Sequence, residues 1–206
     1  VRVSGSEINY SAGAKNGELR FTTIRTPRGG EYVVTLSDGT VVWLNALSEL
    51  KYPVEFAGDR RQVELTGEAY FEVAPDSGRI FSVNTGDYLV EVTGTSFNIN
   101  AYPDESLMQT TLCTGQVTVR DRQTSDSRTL KPNQQLSGDR LSRAVRVESV
   151  DASRVIAWTQ GYFRFDDATI DEIFKVLERW YDIDVVYADE GVRDEHFTGK
   201  LPRFDN

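Results

Sequence analysis

The 206-residue sequence is poor in the residue types that build metal sites and covalent cross-links. It has a single cysteine, Cys113, and a single histidine, His196. One cysteine excludes an internal disulfide framework, and one Cys with one His cannot supply a typical structural zinc site. We therefore predict no metal and no cofactor, with His196 at the surface where a strand begins and Cys113 as a small buried side chain within a strand.

Long hydrophobic runs and an excess of basic residues are also missing. No stretch approaches the roughly 20 apolar residues of a membrane-spanning helix, and no signal-peptide pattern occurs, so we interpret the chain as mature, excised or cytosolic. The 23 Lys and Arg against 32 Asp and Glu leave a net charge of -9. That charge argues against binding nucleic acid or an anionic membrane surface. The 39% hydrophobic and 27% charged residues are typical of a globular chain with a core.

The pattern from Glu31 to about Val150 is strand, turn, strand, with glycine in most of the turns. An Asp38-Gly39 turn between residues 31–36 and 40–44 is a strong hairpin signal. Similar units pair residues 62–65 with 69–73, 88–92 with 96–101, 108–112 with 116–120, and 128–130 with 134–136. About ten short strands with such frequent turns predict a sandwich, jelly roll or β-roll.

A helical pattern follows Val150. Apolar residues recur at helical spacing from Ile170 to Tyr181, and Thr169 with Glu172 fits a capping box, with Asp167 as the rival N-cap. Strands at 161–165 and 183–187 would make a βαβ unit with parallel strands and a right-handed crossover. Residues 197–201 predict a third strand, so this small module either leans on the β domain or has its second half outside the sequence.

The sequence thus predicts a mainly β fold with a small α+β module. We predict a tether with room for one edge strand at residues 1–24, an all-β domain at 25–152, and an incomplete βαβ domain at 153–206.

Acidic and amide side chains are the first candidates for chemistry. We interpret the cluster Asp166, Asp167, Asp171 and Glu172 as support for a helix N-terminus rather than a cation site. Glu68 and Glu72 share one face of a strand, which suggests a glycosidase pair, although a solvated sheet face explains them better. Asn45 and Asn98 follow strands, where side-chain amides usually bond the backbone of a neighbouring turn.

Aromatic residues suggest an alternative function, that of a carbohydrate-binding β-sandwich module. An exposed row of rings could stack on sugars, but their alternation with polar or small residues places most of them in the core. The candidates are Trp43, Tyr52, Tyr70, Phe71, Tyr88, Phe97 and Tyr102.

Several sequence motifs, in a fixed order over about residues 26–150, resemble the periplasmic part of FecR-family anti-sigma regulators. They are TPRGG at 26–30, LSDGTVVWLNA at 36–46, GEAYFEV at 67–73, GTSFN at 94–98, TL at 111–112 with Gly115, and LKP at 130–132 with Gln134 and Gln135. The tail from Trp158, with GYFRF at 161–165 and RWYD at 179–182, resembles the C-terminal module of Bacteroidetes-type members. That module is similar to the secretin/TonB short N-terminal (STN) domain.

The resemblance implies a single-pass inner-membrane protein without enzymatic activity. Its periplasmic part would receive a signal from a TonB-dependent outer-membrane transporter, and a cytoplasmic segment outside these 206 residues would hold an extracytoplasmic-function (ECF) sigma factor. Residues 1–24 would lie just outside the membrane.

We expect the C-terminal module to contact the transporter's signalling domain, because an incomplete sheet leaves an edge that accepts a partner's strand. The predicted partner-binding residues are Tyr162, Phe163, Arg164, Phe165, Ile183, Val185 and Tyr187.

Overall fold

The computed structural model describes residues 20–204, and before residue 150 this part of the chain forms thirteen strands. They are β1 (Phe21–Arg25), β2 (Tyr32–Thr35), β3 (Val41–Leu44), β4 (Glu49–Pro53), β5 (Arg60–Glu72), β6 (Ile80–Asn84), β7 (Tyr88–Val92), β8 (Ser96–Ala101), β9 (Leu107–Thr114), β10 (Val117–Asp121), β11 (Ser127–Leu130), β12 (Gln134–Asp139) and β13 (Val145–Ser149).

These strands form two layers that share β5. One layer has the order β1-β4-β5-β6-β7-β10-β11, and the other β2-β3-β5-β8-β9-β12-β13. Neighbouring strands are antiparallel except β5 and β6, which are parallel. Alternate side chains of both layers, such as Val63, Leu65 and Phe97, enter one buried core. The mainly β fold class is confirmed, and the β domain is a sandwich-like structure.

Strand β5 corrects the predicted turn at Gly67. The strand continues through this glycine, but its first part pairs with β4 and β6 and its second with β3 and β8. Gly67 has φ +90°, and a Cβ there would lie 2.4 Å from Ser48 Oγ. Only glycine combines this conformation with such a close approach, so Gly67 bends the strand from one layer into the other.

Most of the predicted strand–turn–strand units are not hairpins. The first unit is confirmed, because β2 pairs with β3. The turns after β7, β9 and β11 instead carry the chain across to the other layer, since β8, β10 and β12 pair elsewhere. Two strands that face one core show the same alternating pattern whether the turn between them forms a hairpin or crosses to the other layer. The sequence therefore could not distinguish a hairpin from a crossing connection.

The C-terminal module contains α1 (Ala152–Val155), β14 (Tyr162–Thr169), α2 (Ile170–Trp180) and β15 (His196–Pro202), with 3₁₀ turns at Ile156–Gln160 and Glu190–Asp194. The predicted capping box of α2 is confirmed: Thr169 Oγ1 accepts from Glu172 N at 3.2 Å, and Glu172 Oε2 accepts from Thr169 N at 2.9 Å. The rival, Asp167, is not the N-cap.

The predicted parallel βαβ pairing is wrong. Residues 183–187 form no strand, and β14 pairs with β15 in antiparallel register, with an irregularity between Phe165 and Ala168. The segment instead follows α2, where Val185 N donates to Glu178 Oε1 at 2.9 Å and the Tyr187 ring lies 6.2 Å from the Phe174 ring. The predicted strand at 197–201 is confirmed as part of β15.

The N-terminal prediction is only partly within the described chain. Strand β1 starts at Phe21 and pairs with β4. It is the edge strand that the prediction allowed, and it begins at the end of the predicted tether. The rest of that prediction, residues 1–19, lies outside the described residues. Within residues 20–204, no helix has the length and apolar character needed to cross a membrane.

Candidate partner-binding site and domain junction

The four predicted partner-binding residues on β14 point to different surroundings. Tyr162 and Arg164 are exposed, whereas Phe163 is buried and Phe165 half-buried. Phe163 packs edge-on against Trp180 of α2, with ring centroids 6.2 Å apart. Of these four residues, only Tyr162 and Arg164 are therefore exposed to a partner in this conformation.

The second predicted segment lies beside α2 rather than at a sheet edge. Ile183 is exposed, and Val185 and Tyr187 are half-buried. Arg193 lies over the Tyr187 ring at 4.1 Å and pairs with Asp171 at 3.0 Å. These contacts hold the segment as a loop beside α2, so it is not the edge of a sheet.

Strand β15 is the exposed edge that the sequence did not identify as a site. It pairs only with β14 among the described residues, and each of its residues is exposed. Phe197 and Leu201 are 54% and 50% exposed although both are large and apolar. The strand itself was predicted at residues 197–201. Its position at the edge was not, because residues 183–187 were wrongly predicted to be a strand of the same sheet.

Helix α2 is held against the β domain by the loop of residues 26–30. Gly29 N donates to Arg179 O at 3.0 Å, and Arg28 Nη1 donates to Glu178 O at 2.7 Å. Gly29 has φ +66°, and a Cβ there would lie 2.6 Å from Trp180 O. The backbone of this loop can therefore reach the last turn of α2 only because residue 29 is glycine.

Arg179 forms the first ionic link across the junction. Its guanidinium contacts Glu105 at 2.6 Å and Asp104 at 2.8 Å, and it lies 3.9 Å from the centre of the Tyr102 ring. Burial raises the pKa of Glu105, while the charge of Arg179 opposes that rise. Breaking the ion pairs of a largely buried arginine is costly, because the charges would be left unpaired.

Arg203 forms the second link, from the residue after β15. Its side chain is only 1% exposed. Nη2 donates to Asn45 Oδ1 at 2.7 Å, Nη1 donates to Trp158 O at 3.0 Å, and the guanidinium lies 3.5 Å from the centre of the Trp180 ring. Burial lowers the pKa of Arg203, but arginine starts so high that it stays charged.

A buried polar network continues from Arg203 into the β domain. Glu68 Oε2 accepts from Asn45 Nδ2 at 2.6 Å, and Glu68 Oε1 accepts from Asn98 Nδ2 at 3.0 Å. Asn98 Oδ1 in turn accepts from Trp158 Nε1 at 3.2 Å. Burial raises the pKa of Glu68, and the hydrogen bonds from the Asn98 and Asn45 side chains oppose that rise.

Asn45 and Asn98 are structural, as predicted, but their partners differ from the prediction. Asn45 Oδ1 does accept from the neighbouring Ala46 N at 2.9 Å. Asn98, however, bonds two side chains, Glu68 and Trp158, and so joins the two units of the chain.

The glycosidase hypothesis does not fit this geometry. Glu68 is held by two amides, whereas Glu72 is exposed and accepts from Tyr70 Oη at 3.3 Å. Residues four apart on a strand are separated by about 13 Å, beyond the roughly 5–9.5 Å between paired glycosidase carboxylates. The two acids therefore cannot act on one glycosidic bond.

The aromatic residues considered for sugar stacking do not form an exposed row of rings. Of the seven candidates, Trp43 is half-buried and the other six are buried. Trp43 packs on Tyr70 with ring centroids 5.3 Å apart. No exposed row of rings is available in the β domain from these residues, so the structure does not favour the carbohydrate-binding alternative.

The remaining candidates have structural contacts. His196 is exposed at the start of β15, as predicted, and its pKa is raised by a hydrogen bond with the backbone oxygen of Asp167. Cys113 is half-buried rather than fully buried, and burial raises its pKa to about 11. A thiol with that pKa is unreactive at neutral pH.

The acidic cluster is divided among several partners. Asp166 pairs with Arg154, and Asp171 pairs with Lys175 at 2.7 Å. Glu172 completes the capping box. The interpretation as support for the N-terminus of α2 is thus confirmed for Asp171 and Glu172, which lie in its first turn. Asp166 instead joins β14 to α1, and Asp167 contacts His196.

Comparison with known families and solved structures identifies the class of protein. The family model described as FecR protein matches residues 22–128, and that described as FecR, C-terminal, matches residues 162–206. Two crystal structures of a candidate anti-sigma factor from Parabacteroides distasonis, at 2.50 and 1.65 Å, are also similar. Each is 36% identical with TM-score 0.83; they cover 90% and 89% of this chain, and in both cases 86% of the other.

A comparison with curated proteins gives no match. The chain belongs to the FecR family of anti-sigma factors. This family is regulatory rather than enzymatic, and the role of the chain is accordingly in signal transduction that controls a sigma factor.

Proposed function

We propose that this chain is the periplasmic signal-sensing region of a membrane-anchored anti-sigma factor. It receives a signal from the signalling domain of a TonB-dependent outer-membrane transporter and controls an ECF sigma factor through a cytoplasmic segment of the same protein. Family membership supports the regulatory role. The single observation that carries the choice of contact is the exposed edge strand β15.

Strand β15 has the features that strand addition requires. Its outer edge has no strand beside it within residues 20–204, so its free backbone N–H and C=O groups can pair with an added strand. Phe197 and Leu201 supply apolar surface on the same face of the strand, two positions either side of Gly199. The partner strand would pair with the backbone and cover both side chains.

The contacts at the junction support a route for the signal toward the N-terminus. Helix α2 packs on β14, and the loop of residues 26–30 bonds the end of α2. That loop follows β1 directly, and β1 begins within the predicted juxtamembrane segment at residues 1–24. A displacement of the C-terminal module would thus act on the strand next to the proposed membrane anchor.

The test is a binding titration of the chain with the N-terminal signalling domain of the transporter encoded beside it. We expect a dissociation constant of about 1 μM or lower for the native chain. The double variant Phe197→Asp, Leu201→Asp should weaken binding at least about tenfold, since two buried anchors would become unpaired charges.

A matched control is Val33→Asp, because Val33 is 49% exposed but lies on β2. Its binding should equal that of the native chain. No binding of the native chain would overturn the transporter-sensing role, whereas equal loss in the β2 variant would overturn the assignment of the contact to β15.

A further inference from the structure

A cavity of about 170 Å³ lies at the junction between the β domain and the C-terminal module. The β domain contributes Glu68 and Tyr102 to its wall, and the module contributes aromatic rings, among them Trp158, Phe163 and Trp180. A cavity of about 150 Å³ with apolar walls is enough to take up benzene. This one is therefore large enough for a ring-sized group.

The charged residues on the wall are mostly arginines. Arg154 and Arg179 have carboxylate partners, Asp166 for the first and Asp104 with Glu105 for the second. Arg164 is different, because its side chain has no hydrogen bond or ion pair within the described chain. Arg164 lines the cavity, so its guanidinium is the unpaired cationic group nearest to hand for a ligand there.

Arg203 adds a buried donor that the fold leaves unused. Its side chain is 1% exposed, yet its Nε–H has no hydrogen-bond partner among the described residues. A buried polar group without a partner costs free energy, and an acceptor on a ligand would remove that cost. The one carboxylate on the wall, Glu68, already accepts from Asn45 and Asn98.

We propose that this junction cavity binds a small organic carboxylate with an aromatic or other apolar body. The body lies among the aromatic rings, and the carboxylate accepts from Arg164 and from the free Nε–H of Arg203. Binding pockets are frequent at domain interfaces, and a ligand here touches both units. It therefore stabilises the docked position of the C-terminal module, independently of any protein partner.

The tryptophans allow a direct test. The chain has three, of which Trp158 and Trp180 line the cavity and Trp43 does not. We would follow their three indole N–H signals by NMR while adding benzoate to the native chain. The expected result is saturable shifts of the Trp158 and Trp180 signals with a dissociation constant of about 1 mM or lower, and an unchanged Trp43 signal.

Benzamide is the control ligand, because it has nearly the same shape without the charge. It should bind at least about tenfold more weakly than benzoate. The variant Arg164→Gln should weaken benzoate binding about tenfold, and its fold should persist because Arg164 is exposed and has no partner to lose. Arg128→Gln removes the same charge from β11, outside the cavity, and should bind like the native chain.

Three results would overturn the proposal. One is the absence of saturable shifts at Trp158 and Trp180. The second is equal binding of benzoate and benzamide, which would show an apolar site without anion recognition. The third is equal benzoate affinity in Arg164→Gln and the native chain.

Discussion

Replacing Gly29 by alanine should loosen the C-terminal module from the β domain. Residue 29 has φ +66°, and the left-handed conformation costs an L-residue about 1–2 kcal/mol. The new Cβ would also lie 2.6 Å from Trp180 O, so the loop must move away from α2. That movement breaks the Gly29 N–H bond to Arg179 O, worth about 0.5–1.5 kcal/mol. Together these terms give about 1.5–3.5 kcal/mol.

Hydrogen exchange of the α2 amides measures this effect. A loss of about 1.5–3.5 kcal/mol at the junction should speed their exchange by about 10- to 400-fold. Gly58→Ala is the matched control, because Gly58 has φ +76° but nothing within 4 Å of the added Cβ. Gly58→Ala should lose only the about 1–2 kcal/mol of the left-handed conformation, and hydrogen exchange in α2 should stay unchanged.

Unchanged α2 exchange in Gly29→Ala would refute the reasoning. It would mean that the loop of residues 26–30 does not hold the helix, and that the approach of Gly29 to Trp180 O is not a condition of docking.

Three further predictions concern the β domain and the polar network. Gly67→Ala should lower the free energy of unfolding in urea by more than about 2 kcal/mol, because its Cβ would meet Ser48 Oγ at 2.4 Å and φ is +90°. Arg61→Met should cost about 3–5 kcal/mol in the same assay, since it leaves buried Asp38 unpaired; the double variant with Asp38→Asn should cost less than Arg61→Met alone. For Glu68, whose folded-state pKa is raised above 4.5, the stabilising contribution should be present below pH 4.5 and fall as the pH rises through the folded-state pKa. The measurement is the free energy of unfolding in urea of the native chain and of Glu68→Gln at several pH values across that range. The stability of the native chain relative to Glu68→Gln should fall as the pH rises, and a relative stability that rises with pH would contradict the prediction.

Local signals predicted the local structure well. The Asp38-Gly39 turn gave the β2–β3 hairpin, and Thr169 with Glu172 gave the start of α2. In both cases the residues that determine the structure are a few positions apart, so the sequence contains the whole interaction.

The pairing of distant strands was not predictable in the same way. Alternation shows that a strand has one face in a core, but not which strand lies beside it. Gly67 illustrates the problem, because a glycine in an alternating segment predicts a turn and a bend in a continuous strand equally well. Residues 183–187 show the converse, where an apolar pattern comes from packing on α2 rather than from a sheet.

The junction depends on contacts that no sequence pattern announces. Arg179 reaches Asp104 across 75 positions, and Arg203 reaches Asn45 across 158. Neither arginine belongs to a motif whose spacing indicates a buried ion pair. Their importance follows only from their burial and from the partners that the fold brings to them.

The proposal that β15 is the partner's docking edge is tested most directly by hydrogen exchange of the chain in complex with the transporter's signalling domain. We predict that the amides of residues 196–201 gain the largest protection on binding, because an added strand would accept their free N–H groups. The largest protection at β1, β2, β11 or β13, the edges of the β domain, with none at β15 would contradict the account.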